Sequence, residues 1–174
     1  GSDDGGSDDG GSDDGGSGGS DDGIMCDLGT DLVTTSSTDA DNVSVFESDG
    51  SDDWVCFSFT EATQVASEWD IAWKTYDTTV SSSSSGLVLI EEDYDALTEV
   101  PSGDWVTGDP DFMDSWFDYS GAPDHLVTPK DQVYVLQDAD GSVWKLEITT
   151  YYLDGVAGGE PHHPPIRWAS LSGE

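Results

Sequence analysis

The first 23 residues repeat the unit GGSDD and carry eight aspartates, with no apolar side chain and no cation. Such a segment has nothing to bury, so it cannot fold by itself. Glycine and repelling carboxylates favour a flexible, extended linker. Because the whole chain has only four Lys and Arg residues, protein cations could not hold this arm in place. Divalent cations could, since Ca²⁺ takes about six to eight oxygens from carboxylates and carbonyls.

The candidate calcium ligands are the paired aspartates of the arm: Asp3, Asp4, Asp8, Asp9, Asp13, Asp14, Asp21 and Asp22. One pair supplies too few oxygens for an ion, so the others must come from glycine carbonyls, water or acidic residues of a neighbouring molecule. The sequence therefore predicts that Ca²⁺ binding also links copies of the chain through their N-terminal arms. Such head-to-tail links form filaments unless their rotation closes a ring.

The body of the chain is acidic as well, because 30 of the 38 acidic residues lie outside the arm. This charge repels nucleic acid and anionic membrane surfaces, so both are poor partners, and we expect no binding of nucleic acid. Adaptation to high salt would explain the same charge and is compatible with calcium binding. No run reaches the ~18 apolar residues of a membrane span, and Gly1 does not begin a signal peptide. We therefore expect a processed protein that is secreted, extracellular or on the cell surface.

Apolar residues in the body alternate with period two, which indicates strands. Residues 43–46 and 54–59 are predicted to form one hairpin, and residues 132–136 and 143–152 another, around the turn signal at 138–141.

Two further kinds of segment interrupt the predicted strands. The serine run at 81–85 indicates a mobile loop, and only short segments such as 91–97 and 111–117 could be helical. The predicted fold is mostly β: a single antiparallel domain, residues 24–174, preceded by the acidic arm, residues 1–23.

The two cysteines suggest how the arm is fastened to the body. Cys26 follows the arm and Cys56 lies in a predicted strand, so one disulfide between them would suit a secreted protein. Two buried free thiols are the alternative, because free cysteine is often a small core residue.

Several sequence runs, taken in order, resemble the HmuY family. They are DWVCFSF at 53–59, WDIAWK at 69–74, WFDY at 116–119, DHLVTP at 124–129, VYVL at 133–136, DG at 140–141, WKL at 144–146 and YY at 151–152. The resemblance covers most of residues 43–168 and leaves the arm outside. It implies a secreted, mostly antiparallel β fold and, for some members, haem capture through two side-chain ligands.

Haem iron needs axial ligands such as His or Met in an apolar slot. His125 lies in a stretch that resembles the family and is the candidate haem ligand, with a hydrogen-bonded structural role as the alternative. His162 and His163 lie in a proline-rich segment, where exposure or a peripheral metal site is expected. If haem binds, His125 should converge on an apolar cleft with His162, His163 or Met113.

Catalytic motifs are absent from the sequence. Asp138 begins a stretch like a calcium loop, but Thr149 stands where an EF-hand needs glutamate, which favours a simple turn. We find no nucleophile elbow and no Cys–His spacing for zinc, and we predict that the protein is not an enzyme.

Two functions remain. The first is a structural protein whose arm binds Ca²⁺ and links subunits into an extracellular filament or matrix, which the scarcity of cations favours. The second is a haem-binding surface protein on a flexible acidic tether, which only the family resemblance favours.

Overall fold

The structure, a computed structural model, describes residues 23–27, 29, 32–48, 53–153 and 155–171. The aspartates predicted to bind calcium in the arm lie outside the described residues. Within the described ranges the chain forms strands and turns, with no helix. The strands are β1 (Val33–Ser37), β2 (Asn42–Phe46), β3 (Val55–Ser58), β4 (Thr63–Gln64), β5 (Ile71–Lys74), β6 (Asp77–Val80), β7 (Ser85–Ile90), β8 (Val106–Thr107), β9 (Phe117–Tyr119), β10 (Val127–Pro129), β11 (Gln132–Gln137), β12 (Val143–Ile148) and β13 (Pro165–Ser170).

These strands form a seven-stranded sheet in the order β1-β2-β13-β12-β11-β7-β8 and a four-stranded sheet in the order β4-β3-β5-β6. A third, two-stranded sheet is the hairpin of β9 and β10. All strand pairs in these sheets are antiparallel, which confirms the predicted fold class.

Aromatic side chains join the two larger sheets in one core. The rings of Phe57 on β3 and Trp168 on β13 lie 5.9 Å apart, and Phe59 stacks on Trp144 of β12 at 5.8 Å. Phe57 and Trp168 are almost fully buried. Burying a side chain of this size contributes about 2–3 kcal/mol, so these residues explain why the period-two strands pack face to face.

One of the two predicted hairpins is wrong. Residues 43–46 and 54–59 belong to different sheets, because β2 pairs with β1 and β13 whereas β3 pairs with β4 and β5. Their contact is through side chains: the rings of Phe46 and Phe57 meet edge to face at 5.6 Å. The hairpin of β11 and β12 around Asp138–Gly141 is confirmed.

The two short segments that could have been helical form turns instead. Within residues 91–97, the Ala96 amide donates to the Asp93 carbonyl at 3.1 Å, and within 111–117 the Trp116 amide donates to the Met113 carbonyl at 3.1 Å. The serine run predicted as a mobile loop makes a tight turn, in which the Ser84 amide donates to the Ser81 carbonyl, and then enters β7.

Two of the four cations hold the 91–97 segment against the large sheet. Lys145 on β12 donates to the carbonyls of Tyr94 and Leu97 at 2.8 and 2.9 Å. The Tyr94 ring lies within about 4 Å of both Lys145 and Arg167. Arg167 on β13 pairs with three carboxylates, those of Asp41 at 2.7 Å, Asp95 at 2.5 Å and Glu147 at 3.2 Å.

Candidate functional site

The root of the arm is fastened to the four-stranded sheet. Cys26 and Cys56 form a disulfide, as predicted. Cys26 also makes a parallel bridge with Trp54, and the Asp27 amide donates to the Trp54 carbonyl at 2.6 Å. A chain entering the domain here is therefore bonded covalently to the middle of a buried strand.

The predicted haem ligand, His125, lies in the turn between β9 and β10. The turn is closed by the His125 amide, which donates to the Gly121 carbonyl at 2.7 Å, and by the Leu126 amide, which donates to the Ser120 hydroxyl at 2.8 Å. His125 is exposed, and its Nδ1 is hydrogen-bonded to the Tyr119 hydroxyl. This bond leaves Nε2 as the ring nitrogen that can take a ligand.

The other two histidines lie in the segment between β12 and β13. The His162 ring packs against the Tyr151 ring at 5.7 Å, and His163 Nε2 lies 3.7 Å from a carboxylate oxygen of Glu160. Both histidines are half-buried, and His163 Nδ1 is buried with no hydrogen-bond partner in the described part of the chain.

The structure brings this segment beside the β9–β10 hairpin. The Val127 amide donates to the Tyr152 hydroxyl at 3.1 Å, and a Cβ at Gly158 would meet Leu126 at 3.5 Å. His125 and the pair His162–His163 therefore lie on neighbouring segments, although far apart in sequence. We call the surface formed by residues 117–129 and 151–163, without residue 154, the histidine face.

The histidine face meets part of what haem requires. It exposes the apolar or aromatic side chains of Tyr119, Leu153 and Val156, and imidazole is a common axial ligand. The predicted role of Met113 is wrong, because this residue is fully buried in the core and cannot reach a ligand at the surface. Pro129, at the edge of the face, lines a cavity whose other lining residues are 130–132 and 147–149. The acidic cavity described below is lined by residues outside the face.

A cavity of about 450 Å³ lies elsewhere, where the β3, β5 and β6 ends of the small sheet approach the β11–β12 turn. Its lining combines carboxylates, hydroxyls and one tryptophan: Ser58, Thr60, Glu61, Glu68, Trp69, Asp70, Ser81, Ser83, Asp138, Ala139 and Asp140. We call it the acidic cavity. The sequence interpretation missed it, although an aspartate inside the apolar run WDIAW was a signal for a buried polar group.

Two buried aspartates shape the acidic cavity, and each holds a backbone segment. Asp70 accepts the Phe59 amide at 2.8 Å. Burial, and then the charges of Asp138 and Asp140, raise the pKa of Asp70 to about 6, although hydrogen bonds from Phe59 and Ser58 oppose the shift.

Asp138 stabilises the β11–β12 turn. Its Oδ1 accepts the amides of Asp140 and Ser142 at 3.0 and 2.9 Å, and its Oδ2 accepts the Trp144 indole at 3.1 Å. This confirms a turn in place of an EF-hand loop.

Within the described ranges, no three His, Cys, Asp or Glu side chains come close enough together to hold a metal ion. The described residues also include no helix that is long and apolar enough to cross a membrane.

Comparisons with known proteins support the fold. No protein-family model and no curated protein sequence matches the chain. Solved structures do. A protein described as a candidate lipoprotein of Bacteroides fragilis superposes with a TM-score of 0.63 at 14% identity, over 80% of this chain and 94% of that one.

Two further structures carry the HmuY name. One, described as a candidate HmuY-like heme-binding protein of Bacteroides vulgatus, has a TM-score of 0.60 at 18% identity, over 74% of this chain and 91% of that one. The other, an apo HmuY analog of Tannerella forsythia, has a TM-score of 0.51 at 14% identity, over 82% and 97%. The described domain is an antiparallel β protein with an HmuY-like fold, as the sequence resemblance implied.

Proposed function

We propose that this chain is a non-catalytic binding protein, secreted or on the cell surface, that captures haem at the histidine face. The observation that carries the proposal is the placement of His125 beside the segment of His162 and His163, on a surface that also exposes Tyr119 and Val156. The descriptions of two solved structures with the same fold, one as HmuY-like and heme-binding and one as a HmuY analog, support the choice of ligand. The lipoprotein description of a third supports the location.

Different side chains would bind the iron, orient its ligand and cover the porphyrin. His125 Nε2 and one nitrogen of His162 or His163 would hold the iron, whose chemistry on binding is axial coordination. The Tyr119 hydroxyl orients the His125 ring and, by accepting the Nδ1 proton, would leave Nε2 able to bind the iron, as partners of ligating histidines commonly do. Exposed apolar side chains on both segments would cover the porphyrin.

A haemin titration followed by the Soret band tests this proposal. We expect a shifted band in the wild type at micromolar haemin, its loss in His125→Ala, and a weakened but present band in Tyr119→Phe. Met25→Leu is the control, because Met25 is exposed at the root of the arm. An unshifted Soret band in the wild type, or an unchanged titration of His125→Ala, would contradict the proposal.

The arm supports a second candidate function, Ca²⁺-dependent linkage of subunits into a filament or matrix. It is favoured by eight aspartates in a segment without cations. Because Ca²⁺ that binds only the assembled state stabilises that state, a chelator at constant ionic strength should shorten particles measured by light scattering. Removal of residues 1–22 should give the same result without a chelator. Particles that persist in the chelator, or that dissolve equally in monovalent salt, would refute this role.

A further inference from the structure

The histidine face contains no Lys or Arg that could pair with a haem propionate. All four Lys and Arg residues of the chain are described, and none lies in the histidine face. Lys145 and Arg167 lie against the ring of Tyr94. Lys74 lies over the ring of Trp54, at 5.9 Å. Three of the four cations are therefore held at other surfaces.

The fourth cation, Lys130, is the nearest to the face in sequence, one residue after Pro129. In the β9–β10 hairpin, Phe117 pairs with Pro129 at one end, and the turn that holds His125 closes the other end. Lys130 therefore follows the end of the hairpin opposite the candidate iron ligand. It lines a separate cavity there, together with residues 147–149.

Carboxylates lie around the histidines instead. Asp124 directly precedes His125 and is exposed, and Asp118 is exposed on β9. Glu160, whose side chain is 67% exposed, places an oxygen 3.7 Å from His163 Nε2. An anionic group that approaches the histidines from either segment therefore meets a like charge.

The hydroxyl groups beside His125 are also occupied. The Ser120 hydroxyl donates to the Gly121 carbonyl at 3.3 Å and accepts the Leu126 amide at 2.8 Å, which leaves it no hydrogen for a propionate. The Tyr119 hydroxyl is bonded to Nδ1 of His125, on the side of the ring away from a ligand at Nε2. It therefore lies below the porphyrin plane and not at the porphyrin edge, where the propionates are.

We propose that the histidine face binds haem with both propionates directed into solvent, and that it therefore prefers porphyrins whose propionates carry no charge. At about pH 7 both propionates of haem are ionised, because such a carboxyl group titrates near about pH 4.3. A carboxylate taken out of water without a cation beside it is strongly disfavoured. The apolar edge of the porphyrin would therefore contact the exposed side chains of Tyr119 and Val156. This inference rests on the haem binding proposed above and adds the class of porphyrin.

The test compares haemin with haemin dimethyl ester, in which both propionates are neutral. Both probes are titrated in the same mixture of buffer and dimethyl sulfoxide at about pH 7, and the Soret band reports iron ligation in each case. One pair of unit charges about 10 Å apart in water changes an affinity by about twofold. With three carboxylates around the face, we expect the ester to bind at least about fivefold tighter at about 0.01 M salt, and the difference to shrink at about 0.5 M.

Variants separate the effect of charge from the greater apolarity of the ester. Asp124→Asn and Glu160→Gln should each tighten haemin binding about twofold and leave the affinity for the ester unchanged. The matched control is Asp104→Asn, at an exposed position outside the face, which should change neither affinity. His125→Ala should lose both porphyrins, because both bind at the same face. Lys130→Gln should change the affinity for haemin less than about twofold.

The possible failures can be told apart. If haemin binds as tightly as the ester or more tightly, or if Lys130→Gln weakens haemin more than about fivefold, a cation holds the propionates and this inference is overturned, while haem capture stands. If neither porphyrin shifts the Soret band of the wild type, the proposed function and this inference both fail.

Discussion

Replacing Asp70 by asparagine should stabilise the protein at neutral pH. The side chain is 8% exposed, and its carboxylate lies near Asp138 and Asp140 with no protein cation to offset them. Asparagine keeps an oxygen that can accept the Phe59 amide and removes the buried charge. The substitution thus isolates the cost of ionising this group.

The magnitude follows from the shifted pKa. Burial first, and then Asp138 and Asp140, raise the pKa of Asp70 from 3.8 to about 6 in the folded protein. Ionising Asp70 therefore costs about 3 kcal/mol more in the folded than in the unfolded protein. Because the folded pKa is the higher one, the destabilisation is absent below about pH 4, grows between about pH 4 and 6, and is complete above that range.

Urea denaturation of the wild type and Asp70→Asn at several pH values checks this reasoning. Removing the carboxylate also weakens the hydrogen bonds that it accepts, which offsets part of the stabilisation. We therefore expect Asp70→Asn to raise the free energy of unfolding by about 1–2 kcal/mol at about pH 7, with a smaller difference from the wild type towards about pH 4. The control is Asp104→Asn, at an exposed position, which should leave the pH dependence unchanged. A variant less stable than the wild type at neutral pH, or a difference independent of pH, would refute the assignment.

Two other substitutions test what holds the domain together. The double variant Cys26→Ala and Cys56→Ala opens a covalent loop with a sequence separation of 30. It should lower the free energy of unfolding by about 3 kcal/mol. Reduced wild type should have the same stability as the variant, and equal stability of all three proteins would contradict a stabilising role of the disulfide. Arg167→Gln leaves three carboxylates without their cation and should cost about 2 kcal/mol. Arg167 lowers the pKa of Asp95, so this contact stabilises the wild type at neutral pH and the stabilisation is lost as the pH falls through the acid range. The free energy of unfolding of Arg167→Gln should therefore fall less on acidification than that of the control Lys130→Gln.

The sequence predicted the strands well and their partners only in part. Period-two alternation identifies a residue that faces a core, but Phe46 and Phe57 face the same core from different sheets. The one hairpin that was confirmed could be predicted from its turn residues, because Asp138 and Gly141 close the turn between β11 and β12. The connection between β2 and β3 has similar turn residues, yet it crosses between sheets, which only long-range packing determines.

The sites were less predictable for the same reason. The histidine face depends on a contact between Val127 and Tyr152, which lie on segments with no shared sequence motif. The acidic cavity joins Asp70, which precedes β5 of the four-stranded sheet, with Asp138, which follows β11 of the seven-stranded sheet. The candidate ligand His125 could be named from the family resemblance, whereas its neighbours required the fold.

The charge of the domain gives a further test of haem binding at the histidine face. Haem brings two carboxylates to a face that carries Asp118, Asp124 and Glu160 and no Lys or Arg at residues 117–129 or 151–163. Repulsion therefore opposes binding, and added salt should strengthen binding by screening the charges.

We therefore expect the affinity for haemin to rise as NaCl rises from about 0.05 to 0.5 M, a range over which the screening length falls about threefold. His125→Ala should lose haemin binding at every salt concentration. If the affinity for haemin falls as salt is added, or if His125→Ala follows the wild type, haem binding has been assigned to the wrong surface.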